Sequence, residues 1–521
     1  LGFLNKGEYE KSQIPPKPTE TLQSERNLAM FKKQAKNRRN NTQGKKNRCN
    51  LTESRVKNRT RLLELLQSFM AEELFTNMPL HGNVKWDARQ LAVQALLWSW
   101  QETKLITDAF THAVEACEEV GMEKIAKSYT SMMNALEKYS ASFSGILRQR
   151  FQSEVKKCTK HHFEIRGWVP MAFDGSRTTA PRSVANELAF CAPNYGKGNR
   201  AKYGKKKSKG LRRKRNVVNK PQAQAPQAWI TMMWHMEVRL PWTWRLGPSN
   251  SSERDHVKEI LSDEVFEKNT LFCGDAGFTG YPLCRILSLG LNFLVRVGAN
   301  VNLLSEHADV KKLGGGIVLC WPKGKMDSGE PPLRLRLVNV TIGKTKMWLL
   351  TSVRDRQKLK KKTLIRFYQM RWGIEVEFRG LKQTIDKQRL RCRNPERLLV
   401  ELDWSLRAMA VAELLAITEQ IASTADAEDD TRYDPNDRSL AQTMRAIRSC
   451  LRNLEKYETE GSGLLQQLAR ALVQRYDNKT DKRSRYRPKN PDKKPLGDPN
   501  IRKLSAIERK KLNQKNFLRT S

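Results

Sequence analysis

Residues 270–297 read TLFCGDAGFTGYPLCRILSLGLNFLVRV. A short apolar run ends at Asp275, a glycine-rich turn follows, YPLCRILSLG has the texture of a helix, and LNFLVRV (291–297) is apolar again. Strand, turn, helix and strand in this order are the repeating unit of an α/β fold. Upstream, WVPMAFD (168–174) and AWITMMWHMEV (228–238) are further strand candidates. Between them and Thr270, Ser252 stands three residues before Asp255, a capping-box-like start for another helix. Residues 301–352 differ, with Gly314 to Gly316, Pro331, Pro332 and the alternating runs LRLRLVNV and KMWLLTSV, which predict β-hairpins inserted into the α/β unit.

On either side the apolar spacing is helical. From Leu62 to about Cys158 it predicts an all-helical region, with Asp87 as an N-cap. A long helix is expected from Lys361 to about Lys387, and a second apolar one from Pro395 to Gln420. An acidic stretch at 424–437 then precedes a last helical pair within 438–475.

The chain has 521 residues, too many for one typical domain, and 39% are hydrophobic, enough for a sizeable core. Its formal charge is +41, of which residues 1–60 carry +10, 197–220 carry +12 and 477–521 carry +10. Such concentrated excess answers a polyanion, nucleic acid first, and the composition of these three segments predicts disorder. Nine cysteines occur without a CxxC pair, and no signal-peptide pattern is seen, which predicts a reducing intracellular compartment. Cys158, His161 and His162 cluster without a second ligand pair, a chance grouping rather than a zinc site. The longest apolar stretches, 91–100 and 408–417, are too short or too interrupted to cross a bilayer.

Asp174, in FDGSR, and Asp275 each end an apolar run just before a turn. Singly, each reads first as an ordinary turn aspartate. Together they occupy the strand-end position where α/β sheets collect functional groups. Asp255 and Asp263 are rivals for the second carboxylate, but both fall in an expected exposed helix. The third element is YQMRWGIEVEFRGLKQ, 368–383. At about 100° per residue, Tyr368, Arg371, Glu375 and Lys382 share a stripe about 60° wide beside the core-facing edge. Glu377 falls about 160° from Glu375, on what reads as the surface. An i,i+4 pair of Arg371 with Glu375 accounts for neither Tyr368 nor Lys382. Three carboxylates suit Mg²⁺ or Mn²⁺, and Arg, Lys and Tyr beside them suit a phosphate, so the set points to phosphoryl transfer.

These residues closely resemble the insertion-sequence DDE transposases of the branch marked by Y-x2-R-x3-E-x6-K, the insertion-sequence-four family. Tyr368, Arg371, Glu375 and Lys382 match that spacing residue for residue, and FDGSR and GDAGFTGY resemble the two Asp blocks. The resemblance spans about 167–420. It implies an α/β, RNase H-like catalytic core over 166–420, with the basic loop 197–220 as an unusual elaboration and 301–352 as the β-rich insertion. Flanking it would be a basic disordered tail at 1–60, a helical domain at 61–165 that could bind transposon-end DNA, C-terminal helices at 421–475 that could dimerise, and a second basic disordered tail at 476–521. The implied function is cut-and-paste DNA transposition. Asp174, Asp275 and Glu375 would be the catalytic residues and hold two Mg²⁺, with Mn²⁺ able to substitute, while Tyr368, Arg371 and Lys382 hold DNA phosphates. Trp321 is the candidate for stacking a flipped base, with Trp348 readable either that way or as core. Double-stranded DNA and a second copy of the chain are the expected partners, in the cytoplasm or nucleoid. A structure-specific nuclease that never joins, a catalytically retired DNA-binding host protein and a basic RNA-binding protein are the alternatives.

Overall fold

The computed structural model describes residues 57–191, 225–249, 251–288, 290–306, 309–320, 332–343, 345–425, 434–451, 463–473 and 496–514. The loop 197–220, Trp321 and nearly all of the tail 1–60 lie outside the described residues. The chain divides into two units, Leu1–Asn58 and Arg59–Ser521, and the architecture is that of the second.

Its centre is a ten-stranded mixed sheet. The strands are β1 (Val169–Thr179), β2 (Gln227–His235), β3 (Leu240–Pro248), β4 (Thr270–Gly274), β5 (Asn292–Val297), β6 (Asn302–Ser305), β7 (Gly315–Cys320), β8 (Leu333–Ile342), β9 (Thr345–Thr351) and β10 (Asn500–Lys503), in the spatial order β3-β2-β1-β4-β5-β9-β8-β7-β6-β10. β1, β2 and β3 form an antiparallel meander, whereas β4 lies parallel to β1 and β5 parallel to β4. Parallel strands covered on both faces read as unbroken apolar runs. TLFCG shows this, since all five of its residues are buried. The insertion forms its hairpins, but as strands β6 to β9 that continue the same sheet outward from β5.

Two helices connect into the parallel strands, α6 (Glu253–Asp263) and α7 (Tyr281–Ser288). Ser252 caps α6 as its spacing predicts, its side chain accepting from the Asp255 amide. In the same way Asp87 accepts from the Gln90 amide at the start of α1 (Ala88–Trp100). With α2 (Ile106–Glu118), α3 (Tyr129–Lys138) and α4 (Ser140–Cys158), α1 gives the expected helical region; α5 (Val184–Phe190) follows β1.

These N-terminal helices are not walled off as a separate domain. Within the unit they share one apolar core with the sheet and with α10 (Pro395–Ala425), a 31-residue helix. Trp100 Nε1 donates to the Ala408 carbonyl at 2.8 Å, and the Phe143 ring meets Trp404 edge-on at 5.7 Å. A helix that is apolar nearly all round is built to be surrounded. Glu401, fully buried in α10, is balanced by Lys387 at 2.9 Å and by the Arg391 and Cys392 amides. No helix of the described residues is long and apolar enough to cross a membrane.

Two expectations are corrected. The helix expected over 361–387 is three pieces: α8 (Lys361–Met370), α9 (Gly373–Arg379) and a π-helical turn, Gly380–Thr384. Just after the break the backbone passes close to the core: a β-carbon on Gly373 would lie 2.2 Å from Cη2 of the buried Trp234 ring. The tail expected to be disordered from 476 contributes β10 and α13 (Ala506–Gln514) within 496–514. β10 pairs in parallel with the open edge of β6, and Leu504 and Leu512 bury themselves with Leu304 and Leu319. α11 (Leu440–Leu451) and α12 (Leu464–Ala469) complete the fold against α10.

Candidate active site

Asp174 does not end its strand. β2 pairs with β1 through Asp174↔Met232 and on to Thr179↔Gln227, so the Asp-Gly that reads as a turn is extended ladder. The glycine serves a close approach instead: a β-carbon on Gly175 would fall 2.3 Å from Oε1 of Glu253, whose side chain lies over this stretch of backbone. Asp174 Oδ1 accepts from the Gly175 amide at 2.8 Å, and Oδ2 lies 3.6 Å from Arg371 Nη1. Burial pushes its carboxyl up to about 6; the Gly175 amide and Arg371 oppose the shift, and Asp275 and Glu375 add to it.

Asp275 follows β4 directly and caps a short 3₁₀ turn, Ala276–Phe278, its Oδ1 accepting from the Gly277 amide at 2.7 Å. The two aspartates are brought together by register. Ala172 pairs with Cys273 in parallel, so Asp174 and Asp275 each lie two residues beyond the same rung of adjacent strands. Arg254 Nε donates to the Gly277 carbonyl at 2.6 Å and braces this turn from α6.

The signature residues arrive from the broken helix. Arg371 is buried, its guanidinium 5.4 Å from the centre of the Tyr368 ring and 4.0 Å from Glu375 Oε1. Glu375 itself is 55% exposed. Lys382 Nζ donates to Ser176 Oγ at 2.7 Å, and burial lowers its pKa. Asp174, Ser176, Glu375 and Lys382 line one open depression of about 420 Å³, with Gln383 and Gln388 on its wall. Tyr368, expected beside the core-facing edge, is only 2% exposed, and its ring lies beneath Arg371.

Glu377 is a second correction. Its carboxylate is buried rather than on the surface, facing Glu413, with Arg438 and Arg239 near. Burial and the neighbouring Glu413 hold it well above the ordinary carboxylate range. The rivals Asp255 and Asp263 stay outside the site, exposed and paired with Lys258 and Arg245. Trp348 is core, its indole donating to Asp498 at 3.0 Å. Two residues the sequence did not flag are Ser176 and Glu253. Only the place of Glu253 in the first turn of α6 could have hinted at it.

Among the described residues no three His, Cys, Asp or Glu side chains form a ready-made metal cage. The donor set nonetheless suits a hard divalent cation. It is all oxygen, and burial first, with Asp275 and Glu375 adding to it, raises the carboxyl of Asp174.

Residues 230–411 match the family described as "Transposase DDE domain". That span holds Asp275 and Glu375 and begins after Asp174. The chain is also similar to "Transposase InsG for insertion sequence element IS4" of Escherichia coli (strain K12), at 24% identity over 300 residues. The alignment covers 56% of this chain and 60% of that protein, so the chain spans less than two thirds of the curated relative it matches. A solved piggyBac transposase synaptic complex with hairpin DNA overlaps at a TM-score of 0.37 and 14% identity, covering 80% of this chain and 87% of that one. Family match and curated relative agree with the signature: residues 230–411 match a transposase DDE domain, and the chain is similar to a transposase of the insertion-sequence-four family.

Proposed function

We propose that the chain is a DNA transposase that cuts transposon ends and joins the freed 3′-OH to target DNA. The observation that carries this reading is the meeting of Asp174, Glu375 and Lys382 around one depression, with Asp275 entering from the neighbouring parallel strand. The strand order β3-β2-β1-β4-β5, an antiparallel meander with two added parallel strands, supports an RNase H-like core.

Asp174, Asp275 and Glu375 would hold Mg²⁺, or Mn²⁺ in its place. Ions bound there would supply Lewis-acid activation of water and then of the 3′-OH, with stabilisation of the leaving oxygen. The remaining work belongs to the side chains. Arg371 offers a planar fork to a phosphate, and the Tyr368 ring packs beneath it. Lys382, tethered to Ser176, adds a point charge at the rim of the depression. Double-stranded DNA is the substrate, its affinity strengthened by the +41 charge. Joining two ends calls for a homodimer, and the work would be done in the cytoplasm or nucleoid.

The test is cleavage and strand transfer on a DNA carrying the element's terminal repeats. Asp174→Asn and Asp275→Asn are each expected to abolish both reactions while DNA affinity stays near wild type. Near-normal cleavage by either variant would refute the assignment. Cleavage by the wild type with no joining would move the protein to the metal-dependent nucleases.

A further inference from the structure

Glu253 is the first helical residue of α6, directly after its cap Ser252. Its carboxylate lies so close to the backbone beside Asp174 that a β-carbon at position 175 would displace it. The next residue, Arg254, ties the Asp275 turn to the same helix through the Gly277 carbonyl. One turn of α6 thus lays an acid beside the first aspartate and braces the loop of the second.

Arg177 and Arg254, the two guanidiniums that act on Glu253, each also hold another partner. Arg254 Nε is bonded to Gly277, and the Arg177 guanidinium stacks 4.1 Å over the Trp229 ring. A second, independent feature points to a ligand between these groups. Arg371, only 5% exposed, reaches into the cluster with its Nε unpartnered, and its closest carboxylates stand at 3.6 and 4.0 Å rather than in full contact. A buried guanidinium left short of its hydrogen bonds amid repelling carboxylates suits a site that takes cations together with a phosphate.

We propose that Glu253 is a fourth carboxylate of the cation site, facing a divalent ion together with Asp174. This rests on the reading of Asp174, Asp275 and Glu375 as a cation site and adds a residue outside both the motif and the three-carboxylate set.

The test is Mn²⁺ titration of the full chain by calorimetry, with no DNA and no turnover required. Glu253→Gln keeps the shape and removes the charge; it is expected to weaken Mn²⁺ binding roughly tenfold. Glu253→Asp, one methylene shorter, should fall between Gln and wild type, a gradation that general unfolding would not produce. Glu259→Gln, exposed on the same helix, should bind as wild type. Wild-type affinity in Glu253→Gln together with loss in Asp174→Asn would overturn the role of Glu253 alone. Equal losses in the Asp and Gln variants would also overturn it. Wild-type protein that binds Mn²⁺ no better than Asp174→Asn would overturn the cation site itself.

Discussion

The two sides of the site are built differently. On the sheet side, Asp174 and Asp275 each accept a backbone amide, stand on adjacent hydrogen-bonded strands and carry neighbours that restrict them. On the helix side, Glu375 sits 55% exposed on a seven-residue segment flanked by a break at 371–372 and a π turn at 380–384. The sheet side is fixed by a ladder that must form for the protein to fold at all. The helix side is fixed by what α9 rests on. That contrast separates residues whose substitution changes the chemistry from residues whose substitution moves the chemistry out of place.

The strongest way to break the comparison is at the support itself. Gly373 leaves room for Trp234, which is 1% exposed and cannot swing away. Gly373→Val should cost roughly 3 kcal/mol, the upper range for forcing extra atoms into a packed core, and should displace Glu375 with it. Denaturant unfolding monitored by tryptophan fluorescence reads the loss. A variant as stable as wild type would mean that α9 is not seated on Trp234.

The same residues show what could be read from sequence and what could not. The signature spacing, taken on a regular helix, predicted one stripe, and three of its four members do reach the Asp174 side. The backbone that brings them there is irregular. Ile374 and Glu375 bond back only three residues, which overwinds the break, and Ile385 bonds back five, which underwinds the turn carrying Lys382. The two departures act in opposite senses, so Glu375 and Lys382 still line one depression while Tyr368 falls inside. Strand apolarity gave β1, β2, β4 and β5. It missed β3 and the second half of β1, where Asp-Gly mimics a turn and only the partner strand decides. The insertion was legible as hairpins, but its membership of the main sheet was not, because register is a long-range property. The strand at 500–503 was hidden by a basic composition that β6 overrides with an unpaired edge.

A sharper form of the comparison sets Glu377 against Glu375, two residues away. Glu377 and Glu413 share a buried site in which Glu413 Oε1 takes the Arg438 guanidinium at 3.4 Å, while Glu377 Oε1 and Glu413 Oε2 find no partner. A carboxyl raised in the folded state binds protons the unfolded chain has already released. Stability is therefore lost as pH climbs from the unfolded value near 4.5 toward the higher folded one. Glu377→Gln removes this slope, and its amide can donate to Glu413 Oε2. The expected result is a flatter pH dependence of the melting temperature and a gain of roughly 1 kcal/mol at pH 8, with DNA cleavage largely retained. A variant whose melting temperature falls with pH as steeply as wild type would show that Glu377 is not the group responsible.

The smallest expected effect on stability belongs to Glu375 itself, and it carries the most diagnostic contrast. Its side chain is more than half exposed, it accepts no backbone amide, and its nearest cation, Arg371 at 4.0 Å, lies closer to Asp174. Removing the charge therefore takes little from the fold, and Glu375→Gln should unfold within about 0.5 kcal/mol of wild type at any pH from 5 to 8. The same change deletes the one carboxylate that, among the described residues, the helix side contributes to the depression, so single-turnover cleavage at saturating Mg²⁺ should disappear. Glu377→Gln and Glu375→Gln thus make a reciprocal pair on one short helix, the first altering stability and sparing cleavage, the second sparing stability and abolishing cleavage. If both variants lost cleavage equally, the face of α9 that meets Asp174 would be misassigned. If Glu375→Gln lost stability as well, the helix side would be held by its charges, and the difference in construction between the two sides would disappear.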